Sequence, residues 1–207
     1  MQTITSVISM VLLLAALGLS GCANTPKNES ADPTENTKPL ADSLTEESQF
    51  EFAMDMVRLQ MDRAEWERAE KLLLKLRRSH ANEPEVFRLL GRVYEAKDQL
   101  DLAYITREQL LKIEEHTRSD EADFARTAIQ LERYEAAETT YQAWLLDEQN
   151  HVQVAGLNNL GFSALLQSNL AQARTYFDRA LALDPLNQKS RNNLALLRQI
   201  QEQESQP

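Results

Sequence analysis

The chain has a single thiol. Cys22 is the only cysteine among 207 residues and sits in the run Leu19-Ser20-Gly21-Cys22-Ala23, directly behind an apolar stretch from Ile4 to Leu19. A thiol can attack an electrophile, hold a soft metal or pair with a second thiol. No second cysteine exists here, so a disulfide within the chain is excluded. The other candidate ligands are His80, His116 and His151, which fall near the ends of successive repeats of the pattern described below. A metal would need them to converge, and regular spacing along a chain separates them instead, so no metal site is expected. There is no HExxH, no glycine-rich phosphate loop and no nucleophile elbow. The many Glu pairs are what solvated helices carry. The residue types therefore predict no catalytic site, no small-molecule substrate and no cofactor. Cys–His catalysis is excluded if Cys22 is the modified residue that its surroundings suggest.

The surroundings of Cys22 say which modification. The first 22 residues carry no charged side chain. The apolar run is too short for a comfortable membrane span and has the length of a signal-peptide core. The basic residue that usually precedes such a core is absent from Met1–Ser6, where the α-amino group supplies the only positive charge. Leu-Ser-Gly-Cys resembles the bacterial lipobox: an apolar residue, two small ones that let a protease reach the backbone, then the acylated cysteine. The resemblance implies that residues 1–21 are a signal peptide removed before Cys22, that the thiol takes a diacylglycerol and that the freed amine takes a third chain. Each buried CH₂ contributes about 0.8 kcal/mol, so several chains anchor where one would not. Ala23 stands where, by analogy with enteric sorting, Asp would retain the protein in the inner membrane. The expected location is the outer membrane, by lipid anchor, with the folded part facing the periplasm. The alternative is an inert cysteine beside a cut signal.

Residues 22–48 read as the lipidated cysteine followed by a tether. Asn, Thr, Ser and three prolines dominate residues 23–48, with two Lys against six Asp or Glu. Such a composition cannot bury a core. A coil of this length spans roughly 28 Å.

Beyond the tether the chain changes character. Only Gly91, Gly156 and Gly161 follow Cys22, and no proline lies between Pro84 and Pro185. That favours helix throughout. The formal net charge of −10 disfavours a phosphate backbone as partner, so no nucleic acid is expected. Self-similarity is visible at a period of about 34. Leu157, Leu160, Gly161, Ala164, Ala173, Phe177, Ala180 and Pro185 resemble the packing positions and stop of a tetratricopeptide repeat. Weaker copies follow backwards: Phe87, Leu90, Gly91, Tyr94 and Ala103; Ala137 and Tyr141; Ala69 and Leu73. An apolar turn-side position recurs as Trp66, Leu100, Tyr134 and Leu170, at equal steps until the last, which is longer by two and marks an insertion before the last repeat. Leu194, Leu197 and Ile200 mark one face of a capping helix, which a repeat stack needs to cover its last apolar side. The expected fold is all-α: a superhelix of four helix pairs and a C-terminal cap over 49–203, with a tail at 204–207. Arg107 stands where Phe is usual and Trp144 where Ala is usual, which predicts atypical contacts in the middle repeats.

The tetratricopeptide resemblance implies that first helices line a groove for a protein partner. Arg58, Arg92 and Arg126 share one groove position, one full repeat apart each time. They suit carboxylates or backbone carbonyls, or else pair with acidic neighbours such as Glu95. In the fourth repeat the position is Phe162, with Leu165 and Leu166 a turn further on. These suit an amphipathic partner helix, or else contact the cap. Asn158-Asn159 is echoed by Asn192-Asn193, and asparagines there can hold an extended peptide, or else are inherited repeat sequence. Met54 and Met61 fill the core of the first repeat or lend it an adaptable contact. The closing run from Leu157 to Leu197, behind a lipobox and an acidic tether, is similar to the TadD family of tight-adherence (Flp pilus) repeat lipoproteins. That resemblance implies a role in Flp pilus assembly, with a pilotin-like hold on an outer-membrane secretin or another pilus component. Type IV pilus pilotins of the PilF/PilW family and envelope adaptors that dock peptidoglycan enzymes are the rivals.

Overall fold

The computed structural model describes residues 45–204, all within the compact unit Ser43–Pro207. The leader, Cys22 and the tether as far as residue 44 lie outside the described residues. Nine α-helices and no strand occur among the described residues: α1 (Glu46–Asp62), α2 (Trp66–Ser79), α3 (Pro84–Ala96), α4 (Leu100–Leu110), α5 (Arg118–Gln130), α6 (Tyr134–Trp144), α7 (Asn150–Leu166), α8 (Leu170–Leu183) and α9 (Gln188–Glu204). This is the all-α superhelix of four helix pairs and a closing helix that the repeat pattern predicts.

The recurring turn-side residues Trp66, Leu100, Tyr134 and Leu170 are the first residues of the four second helices. Two positions before each stands a residue in the left-handed region: Ala64, Asp98, Glu132 and Ser168, with φ of 56°, 57°, 57° and 59°. None is glycine, although an L-residue there costs about 1–2 kcal/mol. What holds them is a double closure of the first helix. The next amide reaches back over a 6→1 bond four times, from Glu65 to Gln60, Gln99 to Tyr94, Arg133 to Ala128 and Asn169 to Ala164, each at 2.8 Å. The left-handed residue itself closes the shorter 5→2 bond, as from Ala64 to Met61 at 2.9 Å. One turn geometry, repeated, sets the hairpin angle of every pair.

Inside each pair the helices meet at positions separated by one fixed interval in sequence: Val57 and Leu73, Gly91 and Arg107, Ala125 and Tyr141, Gly161 and Phe177. All of these residues are buried. The two-residue insertion is absorbed at the start of α7, which has 17 residues where α3 and α5 have 13. At the C-terminal end, α9 lays Leu194, Leu197 and Ile200 on Ala164, Leu165, Ala173 and Phe177. Helix α1 starts at Glu46, within the stretch read as tether, because the Thr45 hydroxyl accepts the Ser48 amide at 3.2 Å and stops the helix's free end from fraying. Helix α9 continues through Glu204. Every core cluster lies between Phe50 and Ile200, so the helical unit carries its own core.

Candidate functional site

The arginine position falls in mid-helix on α1, α3 and α5, and all three side chains are exposed. Their surroundings differ. Arg58 pairs with Asp55 on its own helix at 3.0 Å and reaches Glu85 of α3 at 3.8 Å. Arg126 is held by Asp123, again one turn back. Arg92 makes no ion pair with any described residue; its charge and that of Arg126 act on Glu95 from a distance. Glu95 is committed elsewhere. Its Oε1 takes a hydrogen bond from Arg107 Nη1 at 2.7 Å, its Oε2 pairs with Nη2 at 2.7 Å, and the same guanidinium donates to the Thr127 hydroxyl. The hydrogen bond from Arg107 holds the Glu95 carboxyl below the usual carboxylate range, against the opposing pull of burial. Two of the three arginines are thus neutralised locally, and Arg92 is the one available to an incoming carboxylate.

Further along the stack the same register turns apolar. Phe162 of α7 is 38% exposed, Leu166 one turn on is 45% exposed, and Leu196 of α9 is 42% exposed. Leu196 follows Phe162 by one standard repeat, so the position reads Arg58, Arg92, Arg126, Phe162, Leu196 along successive first helices and the closing helix. The periodicity that singles out Phe162 was sufficient to find Leu196; the apolar face of Leu194, Leu197 and Ile200 masks it, because Leu196 points away from that face. Leu165 is different. It is buried against the closing helix and belongs to the core shared with Leu194 and Leu197.

The asparagine echo is a structural seam. Asn158 is buried, and its carbonyl oxygen accepts from Asn193 at 3.0 Å and from Ser190 at 3.3 Å, both on α9. Its amide leans on Asn159 at 3.4 Å. Asn192 is exposed and accepts from Gln188 at 2.8 Å. Asn159 keeps its amide NH₂ unbonded to any described residue. The seam changes along the stack: Met54 and Val86 share the apolar core of the first repeats, Arg88 holds Asp120 between α3 and α5, and Asn158 takes Ser190 between α7 and α9. A cleft of ≈ 410 Å³ is walled by Ala122, Trp144, Val154 and Ala155, with Asn159 and Lys189 at its edge. Trp144 is itself fixed: its indole N–H donates to Glu121, its ring meets Tyr141 edge-on at 5.2 Å and Arg118 lies 5.5 Å above it. A Cβ on Gly156 would stand 3.1 Å from Trp144 Cβ and 2.9 Å from the Tyr141 carbonyl oxygen, so glycine is what admits the larger residue.

The histidines stay apart. His80 ends α2 with its ring 4.5 Å from Phe50, His116 contacts the Ile113 carbonyl between α4 and α5, and His151 is exposed in the first turn of α7. Met54 is buried and Met61 packs on the same first-repeat core.

A tetratricopeptide-repeat family model matches residues 154–187, the α7–α8 pair. Among solved structures, the chain is similar to YrrB, described as a TPR protein with an unusual peptide-binding site, at 17% identity over 72% of this chain and 76% of that one with a TM-score of 0.55. It is similar to PilF of Pseudomonas aeruginosa at 18% identity over 74% and 69%, TM-score 0.55. A tetratricopeptide repeat protein of Parabacteroides merdae shares 20% identity over 74% of this chain and 60% of that longer one, TM-score 0.61. No curated protein matches the chain in sequence at a significant level. The fold is the tetratricopeptide-repeat fold of these neighbours.

Proposed function

We propose that this chain is an outer-membrane lipoprotein, acylated at Cys22, whose first-helix face holds a segment of a pilus component during Flp pilus assembly, foremost a segment of the secretin. The carrying observation is the exposed apolar run Phe162, Leu166 and Leu196 beside the cleft at Ala122 and Trp144. An amphipathic client segment would lay its apolar side there and present carboxylates toward Arg92. The pilus assignment rests on the resemblance of the lipobox, tether and closing repeat to the TadD family. Two neighbours of the same fold, a repeat protein with a peptide-binding site and PilF, are in keeping with it. A lipid tether raises the local concentration of the site at the membrane without adding a contact.

The test is membrane fractionation of cells with the gene, without it, and carrying Cys22→Ser or Phe162→Asp/Leu196→Asp. The secretin is probed for SDS-resistant multimers in the outer membrane. The reading expects multimers to vanish or move to the inner membrane in the deletion, and to fall in both variants. Unchanged multimers in the deletion would sink the secretin reading and transfer the site to a later pilus step or to peptidoglycan enzymes.

A further inference from the structure

The second helices carry a surface that the client site does not use. On α2, Arg68, Lys71, Lys75 and Arg78 follow one another at alternating steps of three and four, which sets them in one stripe along the helix. All four are exposed. Lys71 and Lys75 make no ion pair with a described residue, Arg78 donates to the Leu74 carbonyl at 3.2 Å, and Arg68 pairs with Glu65 at 2.7 Å. Lys71, Lys75 and Arg78 rim a shallow hollow with Leu72 and Ser79. One repeat on, the same four positions are Leu102, Ile105 and Gln109 of α4 and Lys112 in the turn just beyond it. Leu102 is 43% and Ile105 47% exposed. None of these positions is acidic, in a chain whose net charge is −10. Of the bordering carboxylates, Asp101 is held by Arg133 at 2.6 Å, Glu108 lies 3.6 Å from Lys112, and Glu67 lies 3.7 Å from Lys97, which Glu70 holds more closely at 2.6 Å. In the later repeats the register reads Ala136, Thr139 and Ala143 of α6 with Leu146 beyond its end, then Gln172, Thr175, Arg179 and Ala182 of α8, so the union of a cationic stripe with exposed aliphatics belongs to the first two repeats.

We propose that this second-helix face of the first two repeats rests on an anionic phospholipid surface. Lys and Arg lay their methylene stems over apolar ground and carry their charges to the phosphates. Leu102 and Ile105 are placed to enter the headgroup boundary. An acidic protein would satisfy the cations alone and leave the two aliphatics without a role. The face also belongs to the end of the stack that the chain enters, at Thr45. The inference does not depend on acylation or on the client.

The experiment uses the self-contained unit, residues 43–207, so that neither leader nor lipid contributes. It is sedimented with vesicles of phosphatidylethanolamine holding about one quarter phosphatidylglycerol, and with pure phosphatidylcholine. Binding is expected to the anionic vesicles only, fading as salt rises toward about 0.5 M. Lys71→Ser/Lys75→Ser/Arg78→Ser should bind on the order of 100-fold more weakly, about fivefold per cation. Leu102→Ser/Ile105→Ser should weaken binding while leaving its salt dependence intact. Circular dichroism checks that both variants keep wild-type helicity. Equal sedimentation with both vesicle types, or a triple variant that binds like the wild type, overturns the proposal. Absence of binding to any vesicle overturns it too, and leaves an acidic protein as the occupant.

Discussion

Two regions of this stack solve one problem with opposite chemistry. In the fourth repeat, Gly161 faces Phe177; in the second, Gly91 faces Arg107 at the equivalent pair of positions. Phe177 is wholly buried and packs on Ala164, Leu165 and Ala173. Its contact is dry, local and satisfied by shape. Arg107 is buried almost as deeply, but its guanidinium must be satisfied by hydrogen bonds, and it finds them in Glu95 of α3 and Thr127 of α5. The aromatic seals its own helix pair. The arginine ties its pair to the next repeat, and through Glu95 it sits among the charges of Arg92 and Arg126. One backbone frame therefore carries a rigid apolar end and an ionic middle, and the exposed face follows suit: apolar at Phe162 and Leu196, cationic at Arg92.

The largest effects should come from emptying the two contacts. Phe177→Ala removes a fully buried ring and is expected to cost about 3–5 kcal/mol in denaturant unfolding. Arg107→Ala strands the Glu95 carboxylate, while the Thr127 hydroxyl keeps its bond to the Asp123 carbonyl at 2.9 Å, and is expected to cost about 3 kcal/mol. The two should part in their rescue. Arg107→Phe combined with Glu95→Gln restores the aromatic that the fourth repeat uses and removes the stranded charge, so it should recover most of the loss, since apolar replacement of a buried ion pair is often neutral. A double variant no more stable than Arg107→Ala would mean that the frame around Gly91 is not equivalent to that around Gly161.

A finer test uses the glycines. A Cβ on Gly161 would stand 2.5 Å from Phe177 Cε1 and 2.7 Å from Cδ1, against a ring with nowhere to go. Gly161→Ala should cost about 2–3 kcal/mol. A Cβ on Gly91 would meet Arg107 Nε at 3.4 Å and Cγ at 3.5 Å, ordinary contact with a flexible chain. Gly91→Ala should be neutral, or stabilise by up to about 1 kcal/mol through helix propensity. Paired denaturation midpoints decide; equal losses would erase the distinction between the two ends.

The frame was legible in the sequence because it is periodic. The spacings of Trp66, Leu100, Tyr134 and Leu170 located every second helix, and the mismatch residues Arg107 and Trp144 flagged the middle repeats as atypical. What periodicity cannot show is the partner of a polar side chain. Arg58, Arg92 and Arg126 look identical in register, yet Arg58 and Arg126 each have an aspartate one turn back and Arg92 has none. Asn158 and Asn193 meet on a diagonal, one position beyond the repeat's own interval, so the echo pointed to a shared position and hid the bond. The left-handed turns were invisible because Ala64, Asp98, Glu132 and Ser168 have no residue type in common; the geometry is imposed by the backbone bonds that close each first helix. Leu196 and the α2 stripe were readable from spacing alone, but only once the register was fixed.

The seam between first helices gives the smallest and most selective contrast. Arg88 holds Asp120 through two hydrogen bonds, each at 2.9 Å, where the later seam uses the neutral pair Asn158 and Ser190. Burial pushes the Asp120 carboxyl upward, but hydrogen bonds from Arg88 and from the Thr117 amide and hydroxyl, with the Arg88 charge, together hold it below its ordinary value. A carboxyl with a depressed folded pKa stabilises the fold above its unfolded pKa of about 3.9, and that contribution is lost as pH falls through the lower folded value. Asp120→Asn should therefore cost about 1 kcal/mol at neutral pH, between the worth of an exposed pair and a buried one. It should also flatten the decline in stability below about pH 4. Asn158→Asp reverses the design by placing a titrating group in the neutral seam, with no arginine to hold it ionised, so its penalty should shrink as the pH is lowered. Unfolding curves of both variants between neutral and acid pH would show slopes that depart from the wild type in opposite directions if the ionic and neutral seams are distinct devices, and parallel curves if the seam position is indifferent to charge.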